Sequence, residues 1–151
     1  MCRHYFFVHK TTNEYETDKT GFIAAGLMNI GGVLLFSRGF TNNAINNADP
    51  VVMSNFGLLM IAVWGLAYWG AATINANIKW LAGAFALEKL VYVVVWVTWL
   101  SKNSLPELYA KDVFAGAFFS IYGVNDFVFL LFLRGCFCSK DGGTESPHVV
   151  A

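Results

Sequence analysis

The stretch Trp80–Leu100, WLAGAFALEKLVYVVVWVTWL, is long and apolar enough to cross a bilayer, yet Glu88 and Lys89 sit side by side near its middle. A charged side chain at the bilayer centre costs about 2.5–3.5 kcal/mol on insertion scales, so such groups turn toward protein rather than lipid. The rest of the chain has to shelter both of them. That requirement narrows the possible folds more than any other feature of the sequence.

Shelter has to come from other apolar segments, and the composition supplies them. Charged residues make up 13 % of the chain, against about 25 % in a soluble domain. The deficit is concentrated in four blocks, at about 20–36, 51–74, 79–100 and 113–133. None has the alternating pattern of barrel strands, which leaves helices as the spanning elements. The expected fold class is therefore all-α, an integral membrane four-helix bundle with both termini on the same side. Residues 1–19 read as an N-terminal segment outside the bilayer, 20–135 as the membrane domain and 136–151 as a disordered tail.

The joints between blocks have local signals. In the loop RGFTNNAINNADP, Asp49 followed by Pro50 reads as the start of the second span. INANIK is short, so spans two and three are expected to pair as an antiparallel hairpin. Ser104 and Glu107 have capping-box spacing, which places a helix start near Leu105. In span one, Gly21, Gly26, Gly31 and Gly32 leave smooth surface for a neighbouring helix. In span two, Ala67 and Ala71 do the same.

Arg3, Lys10, Lys19, Lys79, Arg134 and Lys140 fall on the side of the termini, and Arg38, Lys102 and Lys111 on the other. This bias places the termini in the cytoplasm, and a bacterial inner membrane is the expected location. Trp69 and Trp80 then lie near the inner interface, and Trp96 and Trp99 near the outer one.

Depth follows from a rise of ~1.5 Å per residue. Asn29, Glu88 and Lys89 fall roughly 14 Å from the inner end of their spans, and Asp126 and Tyr68 roughly 12 Å. Tyr92 and Tyr122 lie about one turn further out. Glu88, Tyr92, Trp96 and Trp99 share one helix face; Tyr122, Asn125 and Asp126 share another. Adjacent residues diverge by ~100° around a helix, so Glu88 and Lys89 are expected to need separate partners. Lys89 is assigned to Asp126. Glu88 is left to Asn29, Tyr68, Tyr122 or water, with Lys89 bridging both acids as the alternative. Glu88, Lys89, Asp126, Asn29, Tyr68, Tyr92, Tyr122 and Asn125 are thus the candidates for ligand binding or ion relay. A purely structural role, fixing which helix packs where, is the competing reading.

Several chemistries have no support. The net charge is zero, with no basic field for nucleic acid. His4, His9 and His148 all lie outside the spans, so no haem, di-iron or other metal site is expected, and no cofactor. There is no phosphate-binding loop and no nucleophile elbow. Cys2, Cys136 and Cys138 read as ordinary thiols near the membrane, with palmitoylation or metal binding as lesser alternatives. LLFSRG and LLFLRG close spans one and four, a faint internal likeness of the kind inverted repeats show.

FALEKLVY in span three and IYGVNDFVF in span four, with four short spans and short connectors, resemble small bacterial four-helix membrane proteins of the DoxX-like and BphX-like kind. The resemblance covers about residues 20–135 and implies a four-helix bundle in a membrane. It assigns no catalytic residue. Two functions are carried forward. One is an accessory protein that binds a small apolar or amphipathic ligand, or a membrane-protein partner, around Glu88. The other is a small transporter or proton-coupled carrier using Glu88 and Asp126 as a homo-oligomer. An enzyme is disfavoured, because no nucleophile–base pair is legible.

Overall fold

A computed structural model of the chain describes residues 12–74 and 78–139, with side chains from 18 to 137 apart from 75–77. Among the described residues there are six helices and no strands. Four helices are long and apolar enough to cross a membrane: α1 (Thr12–Phe36), α3 (Asn55–Ala72), α4 (Lys79–Leu100) and α6 (Val113–Ser139). Two short ones, α2 (Asn43–Ala48) and α5 (Leu105–Lys111), lie in the loops.

The long helices pack around two apolar clusters, one at each end. Phe22 and Ala25 of α1, Tyr68 and Ala71 of α3, Phe85 of α4 and Leu133 of α6 belong to the first. Val33 of α1, Leu58 of α3, Trp99 of α4 and Phe119 of α6 belong to the second. Because α1 opens and α6 closes at the first cluster, both termini of the bundle share that end, as expected. It is called the terminal end below; the opposite end is the loop end.

The tight pairs differ from the expected hairpin. α1 packs mainly on α3, and α4 mainly on α6. The backbones of α3 and α4 stay apart and meet through large side chains: Tyr68 against Phe85 at 4.3 Å and Trp64 against Phe85 at 5.9 Å between ring centroids. Glycines explain the preference. Gly26 of α1 lies against Gly65 of α3, where an added Cβ would come within 2.7 Å of the Gly65 carbonyl oxygen. Gly123 of α6 lies under the Trp96 indole of α4. The α3–α4 interface has no such pair, and rings hold it open. The connector residues 75–77 lie outside the described structure.

Helix ends also move. α1 begins at Thr12 rather than near residue 20. α6 continues to Ser139, past the expected end of the span at 133. Cys136 is buried in the terminal cluster and donates to Asp18 Oδ1 at 3.3 Å. Phe137 packs on Gly83 of α4 and on the Trp80 ring. These contacts carry the helix into what the sequence reads as tail. Cys2, His4, His9, His148 and the rest of the tail lie outside the described residues, as does the side chain of Cys138.

The loop end is held by side-chain caps. Asp49 does not start α3; its Oδ1 accepts from the amides of Val51 and Val52, closing a turn. α3 starts six residues later with Ser54 as its cap, whose hydroxyl accepts from Gly57 N. Ser104 sits at the start of α5 but makes no side-chain cap bond. Trp96 and Trp99 turn inward at this end: Trp96 Nε1 donates to Phe119 O at 2.7 Å, and Trp99 Nε1 to Ala48 O at 2.9 Å. After α1 the chain reverses through Arg38, Gly39 and Phe40, all with positive φ. Only the glycine adopts that conformation freely. The Phe40 amide is held by Ser37 Oγ at 2.8 Å.

Asp112 closes this end. It accepts from Ala115 N at 2.8 Å, Asn42 Nδ2 at 3.0 Å and Arg38 Nη2 at 3.1 Å. Desolvation acts to raise its pKa, but the Ala115 amide, Asn42 and the Arg38 charge together outweigh it and hold the carboxyl below its ordinary value. The folded state therefore gives up this proton more readily than the unfolded chain. The resulting stability is complete above the unfolded pKa and drains away as pH falls through the folded one. Asp112→Asn is expected to flatten the acid limb of an unfolding-midpoint-versus-pH curve; an unchanged limb would show that Asp112 plays no part in it.

Candidate functional site

Between the two apolar clusters lies a polar layer. Asn29, Glu88, Lys89 and Asp126 are 4 %, 8 %, 1 % and 6 % exposed, and all four sit in the interior of their helices. Inside an apolar bundle such groups survive only if they satisfy one another, since an unpaired buried charge is far costlier than a paired one.

Lys89 is the hub. Its Nζ donates to Asp126 Oδ1 at 2.8 Å and to Asn29 Oδ1 at 3.0 Å. It also lies 3.7 Å from Glu88 Oε1, close enough for charge attraction but too long for a hydrogen bond. The Tyr68 ring faces the same ammonium with its centroid 5.5 Å away. Three helices therefore supply oxygens to one cation: α1 through Asn29, α6 through Asp126, and α4 through Glu88.

Glu88 points the other way, toward α3. Its Oε2 accepts from the Tyr68 hydroxyl at 2.9 Å, while Oε1 is buried with no hydrogen-bond partner among the described residues. The expected Lys89–Asp126 pair is present. Asn29 is not the partner of Glu88; it serves Lys89 and reaches weakly to Ile61 O at 3.4 Å. Glu88 and Lys89 also approach each other more closely than their helical directions imply. The ~100° divergence holds for their Cβ atoms, but the flexible lysine stem brings its tip back between the two acids.

The remaining candidates stand at the margin. Asn125 Nδ2 approaches Asp126 Oδ1 at 3.4 Å. Tyr92 packs on the loop-end cluster and makes no hydrogen bond among the described residues. Tyr122 packs against Phe118 and Phe119, and its buried hydroxyl has no hydrogen-bond partner among the described residues. Neither hydroxyl bonds to the layer, but Tyr122 lines a cleft together with Asn29, Asn125 and Asp126. The Tyr122 side chain leans toward the N-terminal turn of its helix. On α6 that is the loop end, where it meets Phe118 and Phe119.

Beside the layer is a narrow cleft of about 50 Å³ between α1 and α6, backed by Ile61 of α3. Asn29, Asn125 and Asp126 form its polar side. Sequence reasoning does not find it. The one available signal is the Gly31–Gly32 pair, which reads as a packing surface. An added Cβ at either would meet nothing within 4 Å, unlike Gly21, which lies under Phe132, or Gly26. Two larger cavities at the loop end share Trp99, Lys102 and Asn103 in their walls and include none of Glu88, Lys89 or Asp126.

The chain matches no family model, no curated protein and no solved structure. Its geometry therefore has to carry the functional reading.

Proposed function

We propose that the chain is an integral, four-span membrane protein, set in a bacterial inner membrane with its termini in the cytoplasm. In this reading it binds a small apolar or amphipathic ligand at its mid-depth polar layer rather than catalysing a reaction. The outward faces of the four long helices support the membrane placement. Leu27, Leu35, Leu66, Leu87, Val91 and Val128 are all more than half exposed, while Glu88, Lys89 and Asp126 are inside. Soluble monomers rarely present apolar patches above a few hundred Å².

The observation that carries the binding reading is the imbalance of the layer. Two carboxylates face one lysine, and one carboxylate oxygen is left without a hydrogen bond. A network serving only to fix helix register needs no second acid. Where a ligand completes the layer, the surplus acid has a use.

A proton-coupled carrier using Glu88 and Asp126 is the second reading, favoured by the same surplus acid. It requires an aqueous route to Glu88. The buried Lys89–Asp126 pair, 2.8 Å long, favours the binder.

The test is native mass spectrometry of the protein extracted from its own membrane in mild detergent. Wild type is expected to retain a small amphiphile, and Glu88→Gln to lose it. The amide oxygen of the introduced glutamine can still accept from Tyr68, so the variant is expected to unfold within about 1 kcal/mol of wild type. Retention by both, or by neither, counts against a ligand site in the layer.

A further inference from the structure

The cleft between α1 and α6 lies between two ring contacts that join these helices. Toward the terminal end, Phe132 of α6 lies over Gly21 and packs on Phe22, with 6.1 Å between ring centroids. Toward the loop end, Phe36 and Phe118 meet at 6.2 Å. Of these rings, Phe36 and Phe118 line the cleft itself. Met28, Gly32 and Ile121 line the opening, and Met28 and Ile121 are among the exposed apolar residues. On the membrane reading this mouth faces hydrocarbon, not water.

The floor is Asp126. All of its hydrogen bonds, from Lys89 and from Asn125, fall on Oδ1. Oδ2 has no partner among the described residues, in a side chain 8 % exposed. A carboxylate has about four acceptor sites, and here those of one oxygen are unused. Two carboxyl groups, those of Glu88 and Asp126, stand against the one lysine. The missing complement is a cation with N–H donors that arrives through the lipid.

We propose that the cleft binds the head of a membrane-dissolved primary alkylamine: an ammonium seated on Asp126 Oδ2 beside Asn29 and Asn125, with the alkyl chain leaving between Met28 and Ile121. This rests on the binding reading above and names its ligand class. Size sets the limit. A cleft of about 50 Å³ holds a small head, whereas sites that enclose drug-sized molecules measure roughly 300–1,000 Å³. Rings and quaternary heads are excluded, and the chain stays in lipid. The same size accounts for Gly32: with nothing packed against it, its lack of a side chain keeps the mouth open.

The experiment is thermal unfolding of the full chain in maltoside micelles, titrated with dodecylamine, dodecyltrimethylammonium or dodecanoate. Dodecylamine at tenfold excess over its Kd is expected to raise the wild-type midpoint by about 3–6 °C, and the other two to leave it unchanged. Gly32→Leu and Ile121→Trp, which fill the mouth from opposite helices, are expected to unfold like wild type without amine and to lose the shift. The proposal is overturned if dodecylamine has no effect on wild type. It is equally overturned if dodecanoate or the quaternary amine matches dodecylamine, or if both filled variants keep the full shift. If Gly32→Leu instead only splits an oligomer, a second copy occupies the cleft and the proposal also falls. A wild type that retains some other amphiphile, lost in Glu88→Gln, would leave the broader binding reading standing while this one fails.

Discussion

Lys89→Met is expected to lower the stability of the protein by about 3–5 kcal/mol, the range for removing one partner of a buried ion pair. The mechanism is specific. Lys89 is 1 % exposed and supplies the hydrogen bond at 2.8 Å to Asp126 and the nearest positive charge to Glu88. With methionine in its place the volume is nearly kept, so the loss reports charge and hydrogen bonding rather than a cavity. Asn29 Oδ1 loses its donor as well. Adding Asp126→Leu to Lys89→Met removes the stranded acid, and this double variant is expected to regain most of the loss, because apolar replacement of both partners of a buried pair is often neutral. Reversible unfolding in mixed micelles measures all three proteins. A single variant as stable as wild type would mean that Lys89 is solvated where the bundle places it dry.

Gly26→Leu is expected to be the most damaging change on the apolar side, at about 1–3 kcal/mol or more. An added Cβ at position 26 meets the Trp69 indole and comes within 2.7 Å of the Gly65 carbonyl oxygen. A side chain can turn aside; a helix backbone cannot without parting α1 from α3. The Trp69 Nε1 bond to Ile23 O, 3.1 Å long, spans the same contact and should be lost with it. Gly31→Leu, further along the same helix, meets nothing within 4 Å and is expected to stay within about 0.5 kcal/mol of wild type. The comparison is made by unfolding both variants under identical conditions. Equal effects at the two positions would refute the assignment of Gly26, rather than Gly31, to the helix interface.

The layer was legible because charge is so scarce. In a chain with 13 % charged residues, Glu88, Lys89 and Asp126 stand out inside apolar blocks, and counting rise per residue brings them to one depth with Asn29 and Tyr68. The Lys89–Asp126 pair follows from depth and sign alone. What depth does not contain is azimuth and reach. Asn29 accepts from Lys89 while Glu88 turns to Tyr68 of α3, and chain order does not encode that choice of partners. Tyr122 lines the cleft beside Asp126 without a hydrogen bond to it, a position that depth alone does not give. The hairpin expected from the short connector gave way to α1–α3 and α4–α6 pairing, since glycine contacts between distant segments bring those backbones closer than a short link does.

The glycines divide along the same line. Their number in span one is visible in the string of letters, but Gly21 and Gly26 lie under other helices while Gly31 and Gly32 do not. No local pattern separates the two kinds, because what lies opposite a glycine belongs to another part of the chain. Hydropathy and spacing are local properties, and they suffice for the all-α class, the four long apolar helices, the shared end of the termini and the depth of the charges. Partner choice, the unpaired oxygen of Glu88, the free oxygen of Asp126 and the cleft beside it are properties of contacts between residues far apart in the chain. Those contacts exist only once the helices have packed.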